Sequence, residues 1–130
     1  NCAIKKNEKL NAGIYHYNVK KHALEKIHDE QGDFLIRNLS NYEWAKNSSA
    51  LFFVSSIFDR SMRKYKERGY RFVLLEAGAL LQNFYLVSEA LGLGCSGLGT
   101  IVDDAAEKII DIDGKNEAIV LHFAVGEIAT

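Results

Sequence analysis

A chain of 130 residues supports one hydrophobic core and leaves little room for a second, and 16 basic against 17 acidic side chains, for a formal net charge of -1, leave no excess of Lys and Arg to track a nucleic-acid backbone. Two cysteines, Cys2 and Cys95, make no disulfide framework and point to a reduced, cytoplasmic setting. No apolar run reaches the roughly 20 residues of a membrane span, and no basic stretch followed by an apolar one marks a signal peptide.

The opening residues Asn1 to Lys9 read as a short strand and a Lys-rich turn. Asn11-Ala12-Gly13 is a turn signal, and Ile14-Tyr15-His16-Tyr17 a short β-branched and aromatic strand. Lys20 to Ile27 is charged, with Leu24 and Ile27 as apolar anchors, and Gly32 reads as a break. Phe34, Leu35, Ile36 and Leu39 suggest a short helix, and Asn41 to Ala45 a further turn that packs Trp44 inward. Ala50 to Phe58 is nearly continuous in apolar residues, as suits a central strand covered on both faces. Asp59 and Ser61 carry the oxygens to cap a short helix through Lys64 and Tyr65.

Tyr70 to Leu91 is the strongest helix, apolar around most of its circumference, as a helix buried against a second subunit would be. Gly92 and Gly94 read as its terminators. Asp103 or Asp104 then caps a helix through Ile110, Asp113-Gly114 makes a tight turn, and Ala118 to Val125 forms a last strand that Gly126 ends. Strands and helices mix without regular βαβ alternation, so the class is α+β, one domain over residues 1–130. Because the chain opens on Asn1 rather than Met, it is expected to be part of a longer domain.

Three stretches carry residues suited to chemistry. Gly92-Leu93-Gly94-Cys95-Ser96-Gly97-Leu98-Gly99-Thr100 reads either as a helix cap followed by a bulged strand or as backbone left open to a ligand. It is not a dinucleotide fingerprint, since no strand precedes it and no helix opens directly after it. Arg60 to Arg71 is basic and aromatic: either a solvated connection between helices, or a lysine and a tyrosine facing a pocket and handling a proton. Glu76 within the apolar helix needs a partner such as Arg71 or Gln82, while Gln82 and Asn83 have amides able to bridge subunits. The four histidines show no metal-ligand spacing.

Taken in order, Ala12-Gly13-Ile14-Tyr15-His16-Tyr17, His22-Ala23-Leu24, Lys64-Tyr65-x-x-Arg68-Gly69-Tyr70-Arg71, Glu76-Ala77-Gly78-x-x-x-Gln82-Asn83, Leu91-Gly92-Leu93-Gly94, Asp113-Gly114 and Val125-Gly126 resemble the SagB-type (McbC-like) dehydrogenases of the nitroreductase superfamily. The resemblance implies an α+β fold with a mixed or antiparallel sheet and a long buried interface helix. It further implies a homodimer through Tyr70–Leu91 with FMN at its interface, and oxidation of thiazolines or oxazolines in ribosomal peptides. Lys64 and Tyr65 match the catalytic pair, and Gly97, Leu98, Gly99 and Thr100 match the loop that lies against the flavin. An NAD(P)H-dependent nitroreductase or flavin reductase acting on a small molecule, and a flavin-free dimerisation domain, are the alternatives. Three departures stand out. Nothing in Asn1–Lys9 resembles the family's Arg/Ser phosphate motif, Ala79 stands where the subgroup has His, and Gly99-Thr100-Ile101 stands where it has Gly-Gly-Phe.

Overall fold

The computed structural model describes residues 1–29, 31–39 and 41–128. Its strands are β1 (Cys2–Ile4), β2 (Gly13–Asn18), β3 (Ala23–Asp29), β4 (Ala50–Ile57), β5 (Leu93–Gly97) and β6 (Glu117–Glu127). They form one sheet in the order β3-β2-β1-β4-β6-β5, and every neighbouring pair is antiparallel. The helices are α1 (Gln31–Asn38), α2 (Phe58–Tyr65), α3 (Arg68–Ala90) and α4 (Asp103–Ile109), with a 3-10 turn over Glu43–Asn47. The α+β reading holds.

Alternation along β4 explains the layers. Leu51 and Phe53 point to one face, where they join Ile14 and Ala124 under Ile36 of α1 and the following Leu39, Ala45, Ala106 of α4 and Ile110 just past its end. Phe52 points to the other face, stacked on Phe123 with centroids 5.1 Å apart. Phe84 of α3 closes on Phe123 at 4.4 Å, which seats that long helix against the second face. The central strand is therefore covered on both sides, as its continuous apolar run implies.

Several local expectations fail for identifiable reasons. Lys20 to Ile27 has no strand pattern, yet β3 forms because β2 supplies its ladder, with Tyr17 opposite Leu24 and His16 opposite Glu25. Salt bridges Lys21–Glu25 (2.7 Å) and Lys26–Asp29 (2.8 Å) lie on this exposed edge, charges of the kind that discourage further pairing. Helix α1 runs through Gly32 instead of stopping at it, and the side chain of Leu35 lies outside the described residues. Trp44 does not pack inward: it is 49% exposed against Tyr42, and the small Ala45 takes the buried position. Neither α2 nor α4 has a side-chain cap; Ile57 and Val102 occupy the capping positions, while Asp59, Asp103 and Asp104 lie in the first turns. Gly92, at φ 70, terminates α3, but Gly94 belongs to β5, and β6 continues through Gly126 to Glu127. No register shift marks β5 as bulged; the irregularities fall between Val54 and Ser55 and between Ile14 and Tyr15.

Candidate functional site

Helix α2 packs along the start of α3. Phe58 stacks on Tyr70 at 5.5 Å, and the backbones of Met62 and Gly69 come so close that a Cβ on Gly69 would sit 2.9 Å from Met62. Lys66, at φ 54, reverses the chain between them and donates its N–H to Met62 O at 2.8 Å. The last turn of α2 thus presents Lys64 and Tyr65 together. The Lys64 Nζ lies 5.0 Å from the Tyr65 ring centroid, and that ring meets Phe72 edge-on at 5.1 Å. Both residues are exposed, Tyr65 at 45%.

The glycine-rich segment is anchored at both ends. Gly97 N–H donates to the Tyr85 hydroxyl at 3.0 Å, and a Cβ on Gly97 would press at 3.2 Å on that hydroxyl and on Leu81, so the strand passes α3 closely because it carries glycine there. Leu98 is buried and donates its N–H to His122 O at 3.0 Å; Val102 N–H reaches Leu39 O at 3.3 Å. Between these anchors Gly99 and Thr100 are exposed, and among the described residues their two N–H groups have no acceptor. Adjacent backbone donors held rigidly and left open can hydrogen-bond an electron-rich heteroatom of a ligand. Of the four predicted loop residues, Gly97 and Leu98 hold the loop, and Gly99 and Thr100 carry the open donors.

The two predicted groups are not together within one chain. Tyr65 packs on Phe72 and the loop packs on Tyr85, 13 residues further along α3, which is about 20 Å of helix. Neither group lines a cavity of about 1050 Å³ whose lining includes Phe52, Leu80, Phe84, Phe123, Tyr17 and His22. The Tyr17 hydroxyl and His22 Nδ1 share a hydrogen bond of 2.6 Å there, a pairing no sequence spacing announces. Glu76, Gln82 and Asn83 are exposed, so the carboxylate needs no buried partner.

Burial raises the thiols of Cys2 and Cys95, keeping both protonated, and lowers His122 below its ordinary value. Among the described residues no three His, Cys, Asp or Glu side chains converge on a metal site, and no helix is long and apolar enough to cross a membrane.

The family model for the nitroreductase family matches residues 2–127. The chain belongs to the nitroreductase family. Within it, the chain is 30% identical over 101 residues to MJ1384 of Methanocaldococcus jannaschii, a protein named as a nitroreductase, covering 77% of this chain and 51% of that one. It is 29% identical over 132 residues to the microcin B17-processing protein McbC of Escherichia coli, covering 98% of this chain and 48% of McbC. Among solved structures it matches a chain of the E. coli microcin synthetase McbBCD complex with truncated pro-MccB17 bound, at a TM-score of 0.87 and 27% identity over 99% of this chain and 51% of that one. This nitroreductase-family chain thus spans about half the length of the relatives it matches.

Proposed function

We propose that this nitroreductase-family chain works as an FMN-dependent oxidoreductase that dehydrogenates azoline rings in a peptide, in the cytoplasm and as a homodimer through α3. The observation that carries the reading is the open pair of N–H donors at Gly99 and Thr100 on a loop pinned at Gly97, Leu98 and Val102. Such donors fit the heteroatom edge of a flavin ring and favour its electron-rich reduced form. The likeness to McbC, a microcin-processing protein, supports a peptide substrate.

Aromatising an azoline removes a hydride and a proton from the ring. Bound FMN would supply the hydride acceptor. Lys64 and Tyr65, adjacent and exposed at the end of α2, are the groups assigned to the proton. Proton transfer needs contact within about 3 Å, whereas the pair and the loop are separated by about 20 Å of α3 in one chain. A site that combines them takes the loop from one protomer and the Lys–Tyr pair from its partner, which is why dimerisation belongs to the proposal.

The test begins with the absorption spectrum of the purified chain after FMN is added and free flavin removed. A retained flavin band is expected. With an azoline-containing peptide, Lys64→Ala and Tyr65→Phe should each lower turnover about 100-fold or more while flavin content stays unchanged. Full activity in both variants would remove the assigned roles, and turnover of a nitroaromatic with NADH but of no azoline peptide would move the substrate to the general nitroreductase class.

A further inference from the structure

Helix α3 carries its charges in the order that an isolated helix disfavours. Arg68 and Arg71 stand in its first turn, where the aligned amide dipoles leave positive charge, and no acidic residue is there to meet it. Glu89 stands in its last turn, where the dipoles leave negative charge, with no basic residue beside it. All three side chains are exposed, and among the described residues none of them has an ion pair or a side-chain hydrogen bond. Arg71 and Glu89 are separated by about five turns, so they stand on one line along the helix, about 27 Å apart. That line flanks an exposed stripe of Leu75, Ala79, Gln82 and Leu86. Stripe and charges share a midpoint at Leu80 and Leu81: Leu75 and Leu86 lie symmetrically about it, and so do Arg71 and Glu89. A stripe with opposite charges at its two ends is complementary to itself turned end for end.

We propose that the two α3 helices pair antiparallel, with Arg71 of each chain on Glu89 of the partner subunit, and that these two reciprocal ion pairs set the orientation of the shared site. The inference rests on the proposed dimer through α3. A two-fold axis crossing the helices at their midpoints leaves each flank on its own side, so Arg71 of one chain meets Glu89 of the partner subunit on one flank. Each helix end also gains from its neighbour the charge that its own dipole lacks. A parallel pair instead sets Arg68 and Arg71 level with their own copies and Glu89 level with its own, which repels. The orientation decides what the site contains. Turned end for end, Phe72, on which Tyr65 packs, comes within about 6 Å along the helix axis of the partner's Tyr85, which holds the glycine loop. A parallel pair keeps the separation of about 20 Å found within one chain.

Sedimentation equilibrium of the purified chain at low ionic strength tests the pairing. By symmetry, each single substitution turns two attractive contacts into two repulsive ones. Arg71→Glu and Glu89→Arg should therefore each raise the dimer dissociation constant about tenfold, and by less in high salt. Both substitutions in one chain should return it to within about threefold of the original. All three variants alter exposed side chains, and circular dichroism checks that they fold. A dimer too tight to dissociate is compared instead by the rate of subunit exchange between labelled and unlabelled chains. In a parallel pair neither single substitution weakens the dimer, because one like-charged pair replaces another. That result, or a double variant as weak as the single ones, overturns the proposal. A wild-type chain that sediments as a monomer removes the proposed dimer and this pairing together, whereas a stable dimer indifferent to all three variants removes the pairing alone.

Discussion

At the scale of single residues, what is legible is what is decided locally. Asp113-Gly114 reads as a turn, and it is one: Gly114 sits at φ 67, and the Asp113 Oδ1 accepts the N–H groups of Lys115, Asn116 and Glu117. Those bonds, the one from Glu117 foremost, hold the Asp113 carboxyl well below the usual carboxylate range. The unfolded chain therefore takes up this proton first as pH falls. The turn's contribution to stability is present above about pH 4 and is lost progressively below it, as pH falls toward the folded value. Asp113→Ala should lower the melting temperature at pH 7 and flatten its decline between pH 4 and pH 2; a variant with the same acid profile as wild type would remove Asp113 from the turn's energetics. Trp44 was misread because a large apolar ring announces hydrophobicity but not its neighbours. The neighbouring Ala45, at 1% exposed, takes the buried position.

At the scale of elements, legibility follows the strength of the pattern. The continuous run of β4 and the aromatic run of β2 are found, while the charged β3 becomes a strand only through its neighbour. Helix α2 shows the limit most clearly. None of its residues is buried, so its apolar content says little about where it sits. Its placement depends instead on Gly69, where the α3 backbone meets Met62. Adding a methyl there must push α2 away and carry Lys64 and Tyr65 with it. Overpacking of this kind costs about 1–3 kcal/mol. Gly69→Ala should lower thermal stability by that order and reduce turnover while flavin retention, governed by the distant loop, stays unchanged. Loss of flavin with intact turnover geometry would show that the two ends of α3 are not independent.

At the scale of the whole molecule, the apolar circumference of α3 was read from the sequence as burial, and within one chain most of it is not buried. Val73, Ala77 and Ser88 face the sheet, but Leu75 is 64% exposed and Leu86 60%. Eleven residues apart, Leu75 and Leu86 fall within about 20° of one another around the helix, and Ala79 and Gln82 lie between them on the same stripe. Gly78 borders it, and a Cβ there would meet nothing within 4 Å, so a partner backbone has room to approach. An exposed apolar stripe with small residues at its middle suits a second copy of the same helix crossing it, and an isologous contact presents the stripe twice. The proposed dimer is thus a prediction about one surface. Light scattering at micromolar concentration should give twice the chain mass, and Leu75→Asp with Leu86→Asp should halve it. Both leucines are largely outside the monomer core, so circular dichroism should be unchanged. The same double variant should lose turnover even with Lys64, Tyr65 and the glycine loop intact, because about 20 Å of helix keeps them apart in one chain. A wild-type monomer would remove the dimer and the shared site together. A double variant that stays dimeric and active would place the interface on another face and leave the α3 stripe without a role.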